Sequence, residues 1–149
     1  MSDRTFLCFD HGEKRIGVAV GQSVTNTARP LEIIAAVNGK PDWRKITALV
    51  NQWSPDDIIV GHPLTMEGQR QPASDAAERF SRQMHGRYHL PVHLCDERLS
   101  SREAQDRLQD TYNIDAVAAQ LILETWMMEH TNSEANDTIP PELESGESQ

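Results

Sequence analysis

Thr5-Phe6-Leu7-Cys8-Phe9-Asp10-His11-Gly12-Glu13-Lys14-Arg15-Ile16-Gly17-Val18-Ala19-Val20 (residues 5–20) holds two apolar, β-rich runs around a polar turn. Thr5–Phe9 and Ile16–Val20 are joined by a short connection with a central glycine, which predicts a β-hairpin. A third run, Leu31–Val37, follows turn material at Arg29-Pro30 and extends the hairpin into an antiparallel meander. Asn38-Gly39-Lys40-Pro41 then breaks the chain.

The hydrophobic period changes after Asp42. Trp43, Ile46, Leu49, Val50 and Trp53 fall on one face of a helix that Asp42 can cap. Ile58-Ile59-Val60 is apolar on both faces and bounded by Gly61-His62-Pro63, as a buried central strand requires. Residues 64–72 are polar and glycine-containing, which predicts a mobile loop. Ala73, Ala76, Ala77, Phe80 and Met84 mark a second helix, and Val92–Cys95 the next strand. Ser100-Ser101-Arg102-Glu103 is a capping box that opens another helix. A last helix is expected from about Asp115 to Glu129. The order predicts an α/β domain with a mixed five-stranded sheet, its first three strands antiparallel and the later ones parallel, flanked by helices. The folded domain is expected to span residues 1–131. Residues 132–149 hold five acids and no Lys or Arg, and predict a disordered acidic tail.

Three acids fall where core elements end. Asp10 closes the first strand, Glu97 follows Val92–Cys95, and Asp115 opens the last helix. Each has a plain structural reading: Asp10 a turn residue, Glu97 part of a solvated loop, Asp115 an N-cap. Taken together they point to chemistry. Carboxylates gathered at a sheet edge repel unless a cation lies between them, and hard divalent ions take oxygen ligands. Such a cluster can hold two metal ions for phosphodiester hydrolysis. Ala118 and Ala119, three and four residues after Asp115, are small enough to let the last helix approach the sheet. Lys14, Arg15 and Arg98 are placed to meet phosphates, and Gly12 lets the backbone come close to one.

Across its 149 residues the chain carries a formal charge of −9, which argues against a protein that coats nucleic acid non-specifically. Without the tail the balance is 14 bases against 18 acids, and three of those acids are the proposed metal ligands. No segment approaches the roughly 18–20 apolar residues of a membrane span. The start of the chain lacks a signal-peptide pattern, so a cytoplasmic protein is expected. Cys8 and Cys95 lie alone in apolar runs and read as buried free thiols. His11, His62 and His93 read as packing or hydrogen-bonding groups, with His11 and His62 held in reserve as substrate contacts. Trp43, Trp53 and Trp126 read as core or subunit contacts. The sequence contains no P-loop, dinucleotide fingerprint or nucleophile elbow.

With these residues assembled, the chain resembles the YqgF (RuvX) family of RNase H-like proteins. The likeness is carried by residues 9–20 (FDHGEKRIGVAV), 59–68 (IVGHPLTMEG), 96–101 (DERLSS) and 114–123 (IDAVAAQLIL), in that order. It implies an RNase H-like fold with Asp10, Glu97 and Asp115 as catalytic, metal-binding acids. It also implies nuclease action in maturing the 5′ end of pre-16S rRNA or, as the alternative, resolution of Holliday junctions. The expected cofactor is Mg²⁺ or Mn²⁺, two ions bridged by Asp10 with Glu97 and Asp115 completing one site each. The expected partner is nucleic acid, as pre-rRNA or branched DNA, with ribosomal precursor particles in the first case, and the protein a monomer or weak homodimer. His62 departs from the apolar residue usual in the Gly-x-Pro turn, and Ser100-Ser101 from the commoner Thr.

Two other classes compete. Asp-x-Gly in a hairpin followed by Gly-Val-Ala-Val also resembles the first phosphate loop of the actin and sugar-kinase superfamily, whose members clamp nucleotide between two lobes. The other is a non-catalytic RNA-binding module, against which three retained carboxylates weigh.

Overall fold

The computed structural model describes residues 3–97 and the helix 114–137, with the side chains of that helix described over 116–130. The helix expected from Ser100 lies outside the described residues.

The opening hairpin pairs β1 (Thr5–His11) with β2 (Arg15–Gln22), Asp10 opposite Gly17 and Phe9 opposite Val18. Gly12 turns the chain: a Cβ there would lie 2.6 Å from the Arg15 carbonyl oxygen. The hairpin itself therefore demands glycine. β3 (Thr27–Val37) is longer than the sequence suggests. Arg29-Pro30, expected as turn, lies inside the strand, with Pro30 opposite Ala19 beside a register shift at Val18/Ala19. A proline without an N–H is tolerated at such a bulge.

Among the described residues the sheet has six strands where five are expected, because Asn38-Gly39 turns the chain instead of breaking it. Both residues have positive φ, 53° and 78°, the backbone of a two-residue hairpin turn. The turn returns Lys40–Pro41 as β4, paired antiparallel with Ala36 and Val37.

Asp42 caps α1 (Trp43–Trp53), its carboxylate accepting from the Arg44 amide at 3.2 Å. β5 (Asp57–His62) runs parallel to β1, and β6 (Val92–Asp96) parallel to β5. Between them lies α2 (Pro72–Tyr88), with proline in its first turn. Ser74 is fully buried, accepts from the Gln71 amide and donates to the Pro63 carbonyl, which pins the start of α2 to the end of β5. The segment before α2 is closed by hydrogen bonds between Thr65, Gly68 and Gln69. The last helix, α3 (Ile114–Asp137), continues past the expected end at Glu129.

Sheet order is β4-β3-β2-β1-β5-β6, antiparallel through β1 and parallel beyond it. Alternation along β1 splits the core into two layers. Leu7 and Phe9 pack with Ile46 and Leu49 of α1 and Phe80 and Met84 of α2. Phe6 and Cys8 pack on the other face with Ala119, Ile122, Leu123 and Trp126 of α3. The close seat of α3 depends on Gly21, where a Cβ would meet Leu123 and Met127 at 2.9 Å. No helix among the described residues is long and apolar enough to cross a membrane.

Candidate active site

The parallel strands β1, β5 and β6 end at one edge of the sheet, beside the point where the pairing changes from antiparallel to parallel. Such switch points are where open α/β sheets form ligand crevices. Asp10 occupies the penultimate position of β1, on the face covered by α3, the face that Phe6 and Cys8 share. Glu97 follows β6 directly, and its amide donates to the His62 carbonyl at the end of β5 (3.3 Å).

These two carboxyl groups meet across the end of β5. Glu97 lies within hydrogen-bonding reach of Asp10, and two carboxyl groups that close need a proton or a cation between them. Burial pushes Glu97 above the ordinary carboxylate range, and Asp96 adds to the rise. The Asp10 hydrogen bond and His62 pull the other way. Room for the contact comes from Gly61: a Cβ there would stand 2.5 Å from Glu97 Oε2 and 2.8 Å from Ile122 Cδ1. Gly61 is a site residue that sequence reasoning missed, having treated it only as the boundary of a strand.

Asp115 lies in the first turn of α3, and its side chain is not among those described. Arg98 lies outside the described residues. Lys14 and Arg15 are exposed at the hairpin tip, beyond the same end of β1, with Gly12 between them and Asp10. Among the described residues no group of three His, Cys, Asp or Glu side chains converges on a metal-sized site.

The three strand-end histidines, His11, His62 and His93, each have a partner. His11 Nε2 lies 3.0 Å from the Gly39 carbonyl oxygen, and its ring rests on Phe80. His62 Nε2 is 2.8 Å from Glu78 Oε2, and Glu78 also accepts from Arg70 (2.6 Å). His93 bonds Asp57, which Arg4 reaches from its other oxygen. Cys8 and Cys95 are buried free thiols. Burial, with the nearby acids, pushes Cys95 up to about 12 and Cys8 upward as well, so neither is a thiolate nucleophile at neutral pH. Trp126 packs edge-on to Phe6 in the core and stacks on His130.

A mixed sheet of this order with helices on both faces defines an RNase H-like α/β protein. The backbone is similar to that of T. thermophilus RuvC in complex with a Holliday junction substrate (TM-score 0.54, 14% identity, 85% of this chain and 96% of that one). It is similar as well to the fowlpox virus Holliday junction resolvase (TM-score 0.53, 14% identity, 84% and 99%). At such identities the likeness is one of fold.

Residues 4–129 match the RuvX family, described as Holliday junction resolvase, and the chain belongs to that family. A relative from Pseudomonas paraeruginosa is 47% identical over 137 residues, covering 87% of this chain and 95% of its own. One from Azotobacter vinelandii is 48% identical over 134 residues, covering 85% and 94%. Both carry the name "Putative pre-16S rRNA nuclease".

Proposed function

We propose that this protein is a metal-dependent endonuclease that hydrolyses phosphodiester bonds, acting on precursor 16S rRNA at its 5′ end. The observation that carries the reading is the half-buried Asp10–Glu97 carboxyl pair at the switch point of the sheet. Two carboxyl groups in contact need either a proton or a cation between them. Their donor set is hard oxygen, the gap is held open by Gly61, and the pair lies on the α3 face, so the residues fit Mg²⁺ or Mn²⁺. Asp10, Glu97 and Asp115 would hold the ions. When bound, such ions activate water and offset charge on the leaving oxygen.

The remaining chemistry belongs to the chain. Apolar packing under the pair, from Cys8 and Ile122, limits water on the sheet side and strengthens charge interactions at the carboxylates. Lys14, Arg15 and Arg98 would hold the phosphates flanking the scissile bond, with Gly12 letting the backbone come close to one. The protein would work in the cytoplasm on nucleic acid within ribosomal precursor particles, as a monomer or weak homodimer.

The second reading, resolution of branched DNA, is favoured by the description of the family. One experiment separates the two. Wild type and Asp10→Asn are incubated with Mn²⁺ and either pre-16S rRNA or a four-way DNA junction, and products are mapped to single nucleotides. Cleavage of the rRNA precursor at a fixed 5′ position, lowered at least about a hundredfold in the variant, is expected. Equal turnover by Asp10→Asn on both substrates would remove the assignment.

A further inference from the structure

Beside the acidic pair, on the opposite face of the β1 end, lies a cavity of about 620 Å³. Asp10 and His11 are consecutive strand residues and so point to opposite faces. Asp10 turns towards the α3 side, while His11 lines the cavity against α2. The volume falls within the roughly 300–1,000 Å³ of sites for small organic ligands.

The cavity's chemistry is two-sided. One wall is apolar: Trp43 of α1, held between Phe80 of α2 (5.8 Å and 23°) and the Arg87 guanidinium (3.9 Å), lines it together with Ala76. The rim is cationic. Lys40 of β4 and Arg79 of α2 line the opening, both exposed, and neither has a hydrogen-bond or ion-pair partner among the described residues. Glu13 contributes one carboxylate at the hairpin tip, so the lining stays net positive in a chain of charge −9.

An apolar aromatic wall next to two cations matches a heteroaromatic ring that carries a phosphate. We propose that this cavity binds one nucleotide, its base packed against the exposed edge of Trp43 and Ala76 and its phosphate held between Lys40 and Arg79. The proposal rests on the nuclease reading and deepens it. A strand crossing the hairpin at Gly12 seats one nucleotide in the cavity and turns a neighbouring phosphate towards Asp10 and Glu97. Single-strand recognition of this type relies on aromatic surfaces and a cationic track. The hairpin Asn38-Gly39 has a purpose in this arrangement, since it carries Lys40 to the opening.

The test needs no cleavage. Metal-free full-length protein is titrated separately with the four nucleoside 5′-monophosphates, a short single-stranded oligonucleotide and inorganic phosphate. The Trp43 indole N–H is followed by NMR, assigned with Trp43→Phe. A saturable Trp43 shift, with affinity weakened about tenfold or more by Lys40→Glu and by Arg79→Glu, is expected. Lys45→Glu, on the exposed side of α1, leaves the affinity unchanged. A response to mononucleotides assigns a free nucleotide as a ligand; a response to the oligonucleotide alone assigns a unit of the substrate strand. Inorganic phosphate reproducing the full shift, or no Trp43 response to either nucleotide form, overturns the proposal. Saturable nucleotide binding in a protein without Asp10-dependent cleavage would leave the cavity standing and remove only the nuclease reading.

Discussion

Asp10 and Glu97 are brought into hydrogen-bond contact by two strands and one missing Cβ, and that contact has a thermodynamic signature. Burial raises Glu97 above its unfolded value, so ionising it costs folding free energy. The stability supplied by protonated Glu97 is complete below the ordinary carboxylate pKa and is lost as pH rises through the raised one. Metal-free wild type should therefore melt lower at neutral pH than Glu97→Gln, which keeps a donor towards Asp10 and carries no charge. The gap, a few degrees, should close in acid, and Mn²⁺ should reverse the order by binding only the wild-type pair. Thermal melts across pH, with and without Mn²⁺, check this; a less stable variant at neutral pH without metal would contradict it. Asp10 and Glu97 were legible in the sequence because each acid ends an apolar run. The contact between them was not, because strand order across β5 brings them together and no local pattern encodes it. The same holds for His62 and Glu78, which pair across a loop and a helix turn.

At the scale of elements, the site depends on how closely β5 lets its neighbours approach. Gly61→Ala puts a methyl group 2.5 Å from Glu97 Oε2 and 2.8 Å from Ile122 Cδ1, so either the carboxylate or α3 must move. Overpacking of this kind costs about 1–3 kcal/mol. Loss of the Asp10 contact should lower cleavage at least about tenfold beyond what stability explains. Denaturant unfolding alongside turnover on one substrate separates the two effects; full activity in a folded Gly61→Ala would show that the carboxyl contact is dispensable. Most elements were readable because period and length agreed: the 5–20 hairpin, the 3.6-residue period of α1 and the apolar Ile58–Val60 run. Two were not. Asn38-Gly39 looks like a chain break but needs only two positive φ values to become a hairpin and add β4. Pro30 argues for a turn, yet a bulge opposite Ala19 admits it to β3. In both places local chemistry fixed a bend, and the pairing partner decided what the bend served.

For the whole molecule the unresolved tension is charge: a chain of −9 that is proposed to hold a polyanion. Local positive groups at the hairpin tip and cavity rim offset part of it, and cations held at the acidic pair would offset more. The residues after Asp137 do the opposite, adding Glu142, Glu144 and Glu147 with no base. Truncation after Asp137 keeps all of α3 and removes three negative charges, taking the formal charge from −9 to −6. Repulsion from an acidic segment acts over about 10 Å at 0.1 M salt and shortens to about 3 Å at 1 M. The truncated protein should therefore bind a single-stranded oligonucleotide on the order of threefold more tightly at low ionic strength, chiefly through faster association. The advantage should vanish as salt rises, while the thermal midpoint stays unchanged. Binding rates measured across a salt series on both proteins decide the matter. A gain that persists at high salt would mean that the segment blocks the site by contact, and a loss of affinity on truncation would mean that it contributes to the grip on the strand.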